Sequence, residues 1–215
     1  MPPTPDAGVE RGADGGDPGP GRFRQLGEER RFQGWRISVE EATFETPDGE
    51  RFTRDIVRHP GAVAVVPLTG DGTVLLVRQY RGPIDGELLE IPAGTRDVHG
   101  EPPEETARRE LEEEAGVRAG RVELLATIFN SPGFCDEKTD IYVAEDLAPG
   151  HAERDGHEER FLEVVEVPLD QVDEMIRSGR LTDAQTVLGL LLARARPTGG
   201  DRSGGEGTGS RGRSR

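Results

Sequence analysis

Apolar residues in this chain occur in short runs separated by turn-forming residues, a pattern typical of a mixed α/β protein. Between residues 34 and 59, two stretches flank the segment ETPDGE, whose Pro-Asp-Gly predicts a turn between two strands. The runs AVAVVPL and TVLLVRQY, separated by TGDG, predict a hairpin of buried strands. RVELLATIFN, DIYVAEDL and FLEVVEVPL predict three further strands.

Three helices are predicted as well. The first opens at Pro102-Pro103 and closes at Gly116, because proline suits the first helical turn and glycine the position after the last. Two more are expected near 169–178 and 183–195. Strands on both sides of a central helix, with helices at the end, predict an α/β sandwich with a mixed sheet.

The two ends of the chain differ in composition from its middle. Residues 1–21 are rich in proline, glycine and aspartate, and residues 197–215 contain no large apolar side chain. Neither segment can bury enough apolar surface to offset the entropy of ordering it. Both are predicted to be disordered tails.

Composition and charge exclude several classes of protein. No stretch approaches the roughly 18 apolar residues of a membrane span, and the N-terminus lacks the basic and apolar regions of a signal peptide, so we expect a cytoplasmic protein that does not bind a membrane. A formal net charge of −15 argues against nucleic acid as a partner. Cys135 is the single cysteine and the four histidines show no zinc-site spacing, so neither a disulfide nor a zinc site is expected.

The first predicted helix carries the candidate chemistry. At about 100° per residue, Glu110, Glu113 and Glu114 lie within one narrow arc, whereas Glu112 points away. Three carboxylates on one face repel one another unless a cation lies among them, and Mg²⁺ prefers oxygen ligands. Arg109 lies next to this arc and can hold a carboxylate in place. The alternative is an ordinary solvent-exposed helix face, since glutamate is a strong helix former.

The segment GTRDVHGEPPEETARRELEEEAGV, residues 94–117, resembles the signature of the Nudix hydrolases. That signature reads G, five residues, E, seven residues, R-E-U-x-E-E-x-G-U, where U is aliphatic. One departure exists, because six residues separate Gly94 from Glu101. The extra residue lies in the loop before the helix and leaves the carboxylate face intact. The positions in register are Glu101, Arg109, Glu110, Leu111, Glu113, Glu114, Gly116 and Val117.

Segments outside this signature are similar to the ADP-ribose pyrophosphatase group of that family. They are VRHPGAVAVVPL, LLVRQYRGPIDGELLEIPAG, SPGFCDE and HEER, and the similarity covers roughly residues 32–195. The resemblance implies a Nudix-type α/β/α sandwich, with the Ala93 carbonyl, Glu110 and Glu114 as metal ligands. Glu113 would bind another ion or orient the ligands. Arg81 would contact the diphosphate, the alternative being a surface salt bridge.

The base that activates water is expected outside the helix, because the helix glutamates act as metal ligands. The family places its base in a late acidic loop, here APGHAERDGHEER, and Glu159 is favoured there over Glu158. A solvated acidic turn is the alternative for this loop. Glu137 of SPGFCDE is a further candidate base, although it and Gly133 are more simply explained as substrate contacts.

The N-terminal strands complete the site in the family that the chain resembles. Trp35 is the only tryptophan, and the resemblance implies that it stacks on adenine, the alternative being core packing. Arg54 would approach the substrate from the same region. The expected organisation is a strand region at 22–60 for dimerisation and adenine binding, followed by the Nudix hydrolase domain at 61–196.

The expected activity is Mg²⁺-dependent hydrolysis of the diphosphate of ADP-ribose to AMP and ribose 5-phosphate by a homodimer, with Mn²⁺ as an alternative cofactor. One alternative is another nucleoside diphosphate sugar, such as a GDP-sugar. Another is a Nudix-fold module that binds ADP-ribose without cleaving it. The complete set of glutamates in the signature weighs against the binding module.

Overall fold

The computed structural model describes residues 21–154 and 156–196. The predicted disorder of 1–21 and 197–215 falls, apart from Gly21, outside the described residues. None of the helices in the described ranges is long and apolar enough to cross a membrane. The elements are β1 Arg24–Gln33, β2 Ser38–Glu45, β3 Arg51–Arg58, β4 Ala62–Pro67, β5 Thr73–Arg81, β6 Gly86–Glu90, β7 Ala93–Thr95, α1 Pro103–Ala115, β8 Val117–Phe129, β9 Lys138–Pro149, β10 Glu163–Pro168, α2 Val172–Arg177 and α3 Ala184–Ala195.

A four-stranded sheet in the order β7-β4-β9-β8 forms the centre of the fold. Strands β4 and β9 run parallel, whereas β7 and β8 pair antiparallel to them. Val63 and Val65 of β4 pack in one cluster with α1, while Ala64 and Val66 pack in another with α3. Helices therefore cover opposite faces of a mixed sheet, and the predicted α/β/α sandwich is confirmed.

Helix α1 has the ends predicted from the sequence. It begins at Pro103, and Glu104 and Glu105 lie in its first turn, where carboxylates interact well with the helix dipole. It ends before Gly116, whose φ of 68° is left-handed and is readily adopted only by glycine. Local sequence signals thus set the length of the helix.

The predicted hairpin of AVAVVPL and TVLLVRQY is wrong in its pairing. Both segments are strands, but β4 lies in the central sheet and β5 in a second sheet of order β10-β5-β6. An isolated bridge between Leu68 and Val74 is all that joins them directly in the described structure. Both edges of β4 are occupied, by β7 and β9, so β5 pairs with β6 and β10 instead.

A third sheet, β1-β2-β3, precedes the central layers. Strands β2 and β3 flank the predicted turn at 46–50 and pair antiparallel, as expected. The sequence did not predict β1, because half of the residues in RQLGEERRFQ are charged and all of them are exposed. Its pairing with β2 is supported by cross-strand ion pairs, including Arg24–Glu45 at 2.7 Å and Arg31–Glu41 at 2.9 Å.

Candidate active site

Helix α1 directs its carboxylates toward the short strand β7. Glu114 is 5% exposed, and its Oε2 accepts a hydrogen bond of 2.9 Å from the backbone N–H of Ala93. The Ala93 contact observed is thus made by its N–H group. Glu110 lies against Gly94, where an added Cβ would overlap the carboxyl group of Glu110. A residue without a side chain at 94 lets this carboxylate approach the β7 backbone.

Burial changes the acidity of two of these carboxylates. It raises the pKa of Glu110 from its ordinary 4.5 to about 7, although the adjacent Arg109 lowers it. Burial also raises the pKa of Glu114, to about 8; the bond from the Ala93 N–H opposes the rise and the charge of Glu110 adds to it. Each carboxylate therefore ionises readily only when positive charge is brought close to it.

Arg109 occupies the centre of the remaining acidic network. Its Nη1 lies 2.8 Å from Glu110 and 3.0 Å from Glu113, and its Nη2 lies 3.3 Å from Glu101. The predicted role of Arg109 in holding a carboxylate is confirmed by these ion pairs. The described residues contain no group of three or more His, Cys, Asp or Glu side chains arranged to hold a metal ion. Glu110 and Glu113 are paired with Arg109, so their convergence with Glu114 on one point stays a prediction.

Arg81 lies at the end of β5 and forms a two-point ion pair with Glu90 of β6. Its Nε lies 2.9 Å from Oε1 of Glu90, and its Nη2 lies 2.5 Å from Oε2. Glu90 is 2% exposed, whereas the Arg81 side chain is 38% exposed. The hydrogen bond to Glu90 raises the pKa of Arg81, burial opposes this, and the charges of Glu90 and then Glu114 add to the rise. Arg81 is therefore a fixed cation on the Glu114 side of the site, with an accessible surface.

The late loop lies near the α1 carboxylates and brings Glu159 toward them. Glu159 starts a single 3₁₀ turn, and its Oε2 accepts a bond of 3.0 Å from the N–H of Gly156. Its charge is among the causes, after burial, that raise the pKa of both Glu113 and Glu114. Glu158 is exposed; its charge contributes, after a hydrogen bond to an aspartate and after burial, to the raised pKa of Tyr80. Glu159 thus acts electrostatically on the α1 glutamates, whereas Glu158 acts on Tyr80.

The SPGFCDE loop is joined to the N-terminal sheet. The N–H of Val57 donates to the Phe134 carbonyl at 2.8 Å, and the N–H of Asp136 donates to the Val57 carbonyl at 3.1 Å. Gly133 is exposed and Glu137 is half-buried. Within the described residues, the structure shows neither a hydrogen bond nor an ion pair between Glu137 and α1. This loop therefore couples β3 to the site region without placing Glu137 among the carboxylates.

Trp35 is 90% exposed, so the core-packing alternative for this residue is wrong. The guanidinium of the neighbouring Arg36 lies 6.0 Å from its ring and donates 3.1 Å to Thr95 Oγ1 in β7. Arg54 is also exposed and lies 4.7 Å above the ring of Phe52. Both predicted N-terminal substrate contacts are therefore accessible to a partner or ligand, and Trp35 lies close in sequence to a contact with β7.

Two residues that organise this region could not be recognised from the sequence. Glu90 fixes Arg81, yet it appeared only as part of an apolar run. Arg154 donates 2.7 Å from Nη2 to the carbonyl of Glu114 and 2.8 Å from Nη1 to the carbonyl of Leu162. Its acceptors are main-chain oxygens, which every residue carries, so only the folded structure reveals the pairing.

Helix α1 thus packs Glu110 and Glu114 against a mixed sheet, beside an acidic loop, and the comparison with known families identifies this fold. The model of the NUDIX domain matches residues 57–187, and the chain belongs to this family. The predicted family and fold class are confirmed.

Relatives and a solved structure agree with this assignment. The chain is 38% identical to an ADP-ribose pyrophosphatase of Bacillus subtilis over 167 residues, covering 78% of this chain and 90% of the relative. It is also 38% identical to a methanol dehydrogenase activator of Bacillus methanolicus over 162 residues, covering 75% and 87%. The crystal structure of an ADP compounds hydrolase superimposes with a TM-score of 0.71 at 28% identity, covering 82% of this chain and 94% of that one.

Proposed function

We propose that this Nudix hydrolase cleaves the diphosphate of ADP-ribose to AMP and ribose 5-phosphate with Mg²⁺ as cofactor. The observation that carries the proposal is the buried Glu114 beside the partly buried Glu110, with the charges of the fixed Arg81 and of Glu159 both acting on Glu114. The choice of ADP-ribose is supported by the names of the relatives, an ADP-ribose pyrophosphatase and an ADP compounds hydrolase.

The donor set fits a hard divalent cation. Glu110 and Glu114 offer carboxylate oxygens whose pKa values are raised by burial, and Mg²⁺ and Mn²⁺ prefer oxygen ligands. We assign the ligands to Glu110 and Glu114 with the Ala93 carbonyl, and Glu113 to a further ion or to orienting the others. Mg²⁺ is favoured over Mn²⁺. When bound, the cation supplies charge neutralisation at the phosphoryl oxygens and lowers the pKa of water.

The remaining roles, substrate binding and proton transfer, belong to side chains and loops of the protein itself. Arg81 uses Nε and Nη2 to bind Glu90, which leaves Nη1 to donate to a diphosphate oxygen in a fixed direction. Glu159 accepts the proton of the attacking water, since its carboxylate faces the α1 glutamates and its only hydrogen bond among the described residues is to Gly156. Glu137 and Gly133 position the substrate from the SPGFCDE loop.

The N-terminal sheet is proposed to form the homodimer interface. Several large apolar side chains of this region are exposed, and a concentration of exposed apolar residues marks an association site. In the dimer Trp35 stacks on adenine and Arg54 approaches the substrate, so that 22–60 completes the site of the domain at 61–196. The exposed residues are Phe23, Leu26, Phe32, Trp35 and Ile37.

A turnover assay on a panel of nucleotide sugars tests this function. Phosphate released by a coupled phosphatase is measured with ADP-ribose and with a GDP-sugar, in Mg²⁺ and in chelator. We expect ADP-ribose to have the higher kcat/KM and chelator to abolish turnover. A higher value for the GDP-sugar would assign the alternative substrate, and binding without turnover would assign a binding module.

Glutamine variants identify the base. Removal of a general base lowers kcat by about 10²- to 10⁴-fold while substrate affinity changes little. We expect this for Glu159→Gln, with ADP-ribose affinity in Mg²⁺ measured by calorimetry staying within a few-fold. Glu158→Gln, one residue away and exposed, is the matched control and should turn over nearly normally. Glu137→Gln should raise KM. A severe loss of kcat in Glu158→Gln or Glu137→Gln in place of Glu159→Gln would move the base to that residue.

A further inference from the structure

The segment before the late loop is attached to the C-terminal end of α1. The N–H of Gly150 donates 2.8 Å to the carbonyl of Gly116, and the N–H of Glu153 donates 3.2 Å to the carbonyl of Glu113. The last carbonyls of a helix have no partner within the helix, so such bonds are stabilising. This end of the loop is therefore fixed to the turn that carries the metal-binding glutamates.

Arg154 extends the attachment to the other end of the loop. Its guanidinium donates 2.7 Å to the carbonyl of Glu114 in α1 and 2.8 Å to the carbonyl of Leu162, which directly follows residues 156–161. Leu162 is 4% exposed, so its backbone is anchored in the core. A cation at a helix C-terminus also interacts favourably with the helix dipole. The arginine thus closes the loop onto α1.

Within the loop, little else orients Glu159 relative to α1. Its carboxylate is held by the N–H of Gly156, which belongs to the same loop and moves with it. A Cβ at Gly156 would lie 2.5 Å from the carboxyl carbon of Glu159, so the carboxylate packs directly on this backbone. Glu159 and Gly156 therefore form one local unit, and the position of that unit depends on the anchors at its ends.

We propose that Arg154 is a positioning residue, which holds the 156–161 loop on α1 so that Glu159 faces the site. The inference rests on the proposed function in that Glu159 is the base. A planar guanidinium has donors fixed in a fork and so holds two carbonyls in one geometry, whereas alanine has no donor and lysine has no fixed fork. A displacement of about 1 Å in a catalytic group lowers the rate by up to about 10²-fold.

The test replaces Arg154 with Ala and measures kcat, KM and Mg²⁺ affinity. We expect kcat to fall about 10- to 100-fold, with KM for ADP-ribose and the Mg²⁺ affinity within about 3-fold of the parent. Arg108→Ala is the matched control. Arg108 lies on α1 and donates 2.8 Å to the main-chain carbonyl of Ala119 and 2.8 Å to Glu104, so neither of these bonds involves the loop. It should leave kcat within about 2-fold.

A second readout needs neither metal nor substrate. Amide hydrogen exchange of a peptide covering 156–162 reports how firmly the loop is held. In Arg154→Ala this peptide should exchange at least about 10-fold faster, while a peptide from the middle of α1 keeps its protection. Equal protection of the loop in parent and variant would overturn the proposal. Should Arg154→Ala fail to fold, Arg154→Lys, which keeps the charge without the planar fork, undergoes the same measurements with the same expectations.

Combining Arg154→Ala with Glu159→Gln separates this proposal from the proposed function. If Arg154 acts through Glu159, the double variant has nearly the same kcat as Glu159→Gln alone. Multiplication of the two losses would overturn the role of Arg154, as would a loss of Mg²⁺ affinity equal to the loss of kcat. Normal turnover by Glu159→Gln alone would instead refute the assignment of the base, and the hydrogen exchange of the loop would still report whether Arg154 holds it.

Discussion

Replacing Glu114 with Gln is expected to make the metal-free protein more stable at alkaline pH while removing a ligand. Glu114 is buried, and the folded state holds its proton more tightly than the unfolded chain, since its pKa rises from 4.5 to about 8. The stability associated with this group is therefore complete below about pH 4.5 and is lost as the pH rises through about 8. Glutamine does not titrate, so the stability of the variant does not fall with rising pH through this group.

The magnitude follows from the shift. At about 1.4 kcal/mol per pKa unit, a rise from 4.5 to about 8 corresponds to about 5 kcal/mol lost by the parent at high pH. The amide can still accept the bond from the Ala93 N–H, but its own N–H groups need partners, which costs about 1–3 kcal/mol. We therefore expect Glu114→Gln to gain roughly 2–4 kcal/mol over the parent at pH 9 and to be about 0–2 kcal/mol less stable at pH 5.

Urea unfolding in chelator at unit pH steps from 5 to 9 measures this difference. Glu112→Gln is the control on the same helix, because the hydrogen bond from Arg118 lowers the pKa of Glu112 and its variant has no alkaline advantage. Glu110 and Glu114 interact, so the observed transition belongs to the pair. Parallel stability curves for the parent and Glu114→Gln across this range would refute the reasoning. In Mg²⁺ the same variant should lose about 10²-fold or more in kcat.

Three further perturbations probe the same site. Mg²⁺ binding should release protons between about pH 6 and 8, because Glu110 and Glu114 must ionise. Calorimetry in two buffers of different ionisation enthalpy counts the released protons. A binding enthalpy independent of the buffer would contradict the shifted pKa values. Gly94→Ala should weaken Mg²⁺ binding about 10-fold or more, because the added Cβ requires the Glu110 carboxylate to move. Titration calorimetry measures the Mg²⁺ affinity, and an unchanged affinity would show that the helix can shift at no cost. Trp35→Ala should raise KM for ADP-ribose about 10-fold with little change in kcat, as measured by steady-state kinetics. An unchanged KM would show that Trp35 does not stack on adenine.

Features set by neighbouring residues were predictable from the sequence. The helix period placed Glu110, Glu113 and Glu114 on one face, and proline and glycine marked both helix ends where the structure has them. The arginine in the same helix was correctly expected to bind these carboxylates. These predictions succeeded because the interacting groups lie within one or two helical turns, where geometry is nearly independent of the rest of the fold.

Features that depend on long-range competition were not predictable. The TGDG turn favours a hairpin, but β4 has two other partners, one of them the parallel strand β9 about 75 residues later. Strand β1 has little apolar pattern and carries its charges as Glu28-Glu29 followed by Arg30-Arg31, and ion pairs with glutamates of β2 support its pairing. In both places tertiary pairing decides the structure over local preference.

The late loop shows why the placement of Glu159, the proposed base, is harder to infer than that of the helix glutamates. The helix places those glutamates, whereas Gly150, Glu153 and Arg154 attach the loop through bonds to the main-chain carbonyls of Glu113, Glu114, Gly116 and Leu162. Main-chain carbonyl acceptors cannot be recognised from the sequence, since every residue has one. The arginine is the only side chain in this set of contacts, so it is the position at which the sequence can alter how the loop is held without changing the loop itself. If the base is Glu159, its alignment with the site is therefore controlled from Arg154, five residues upstream.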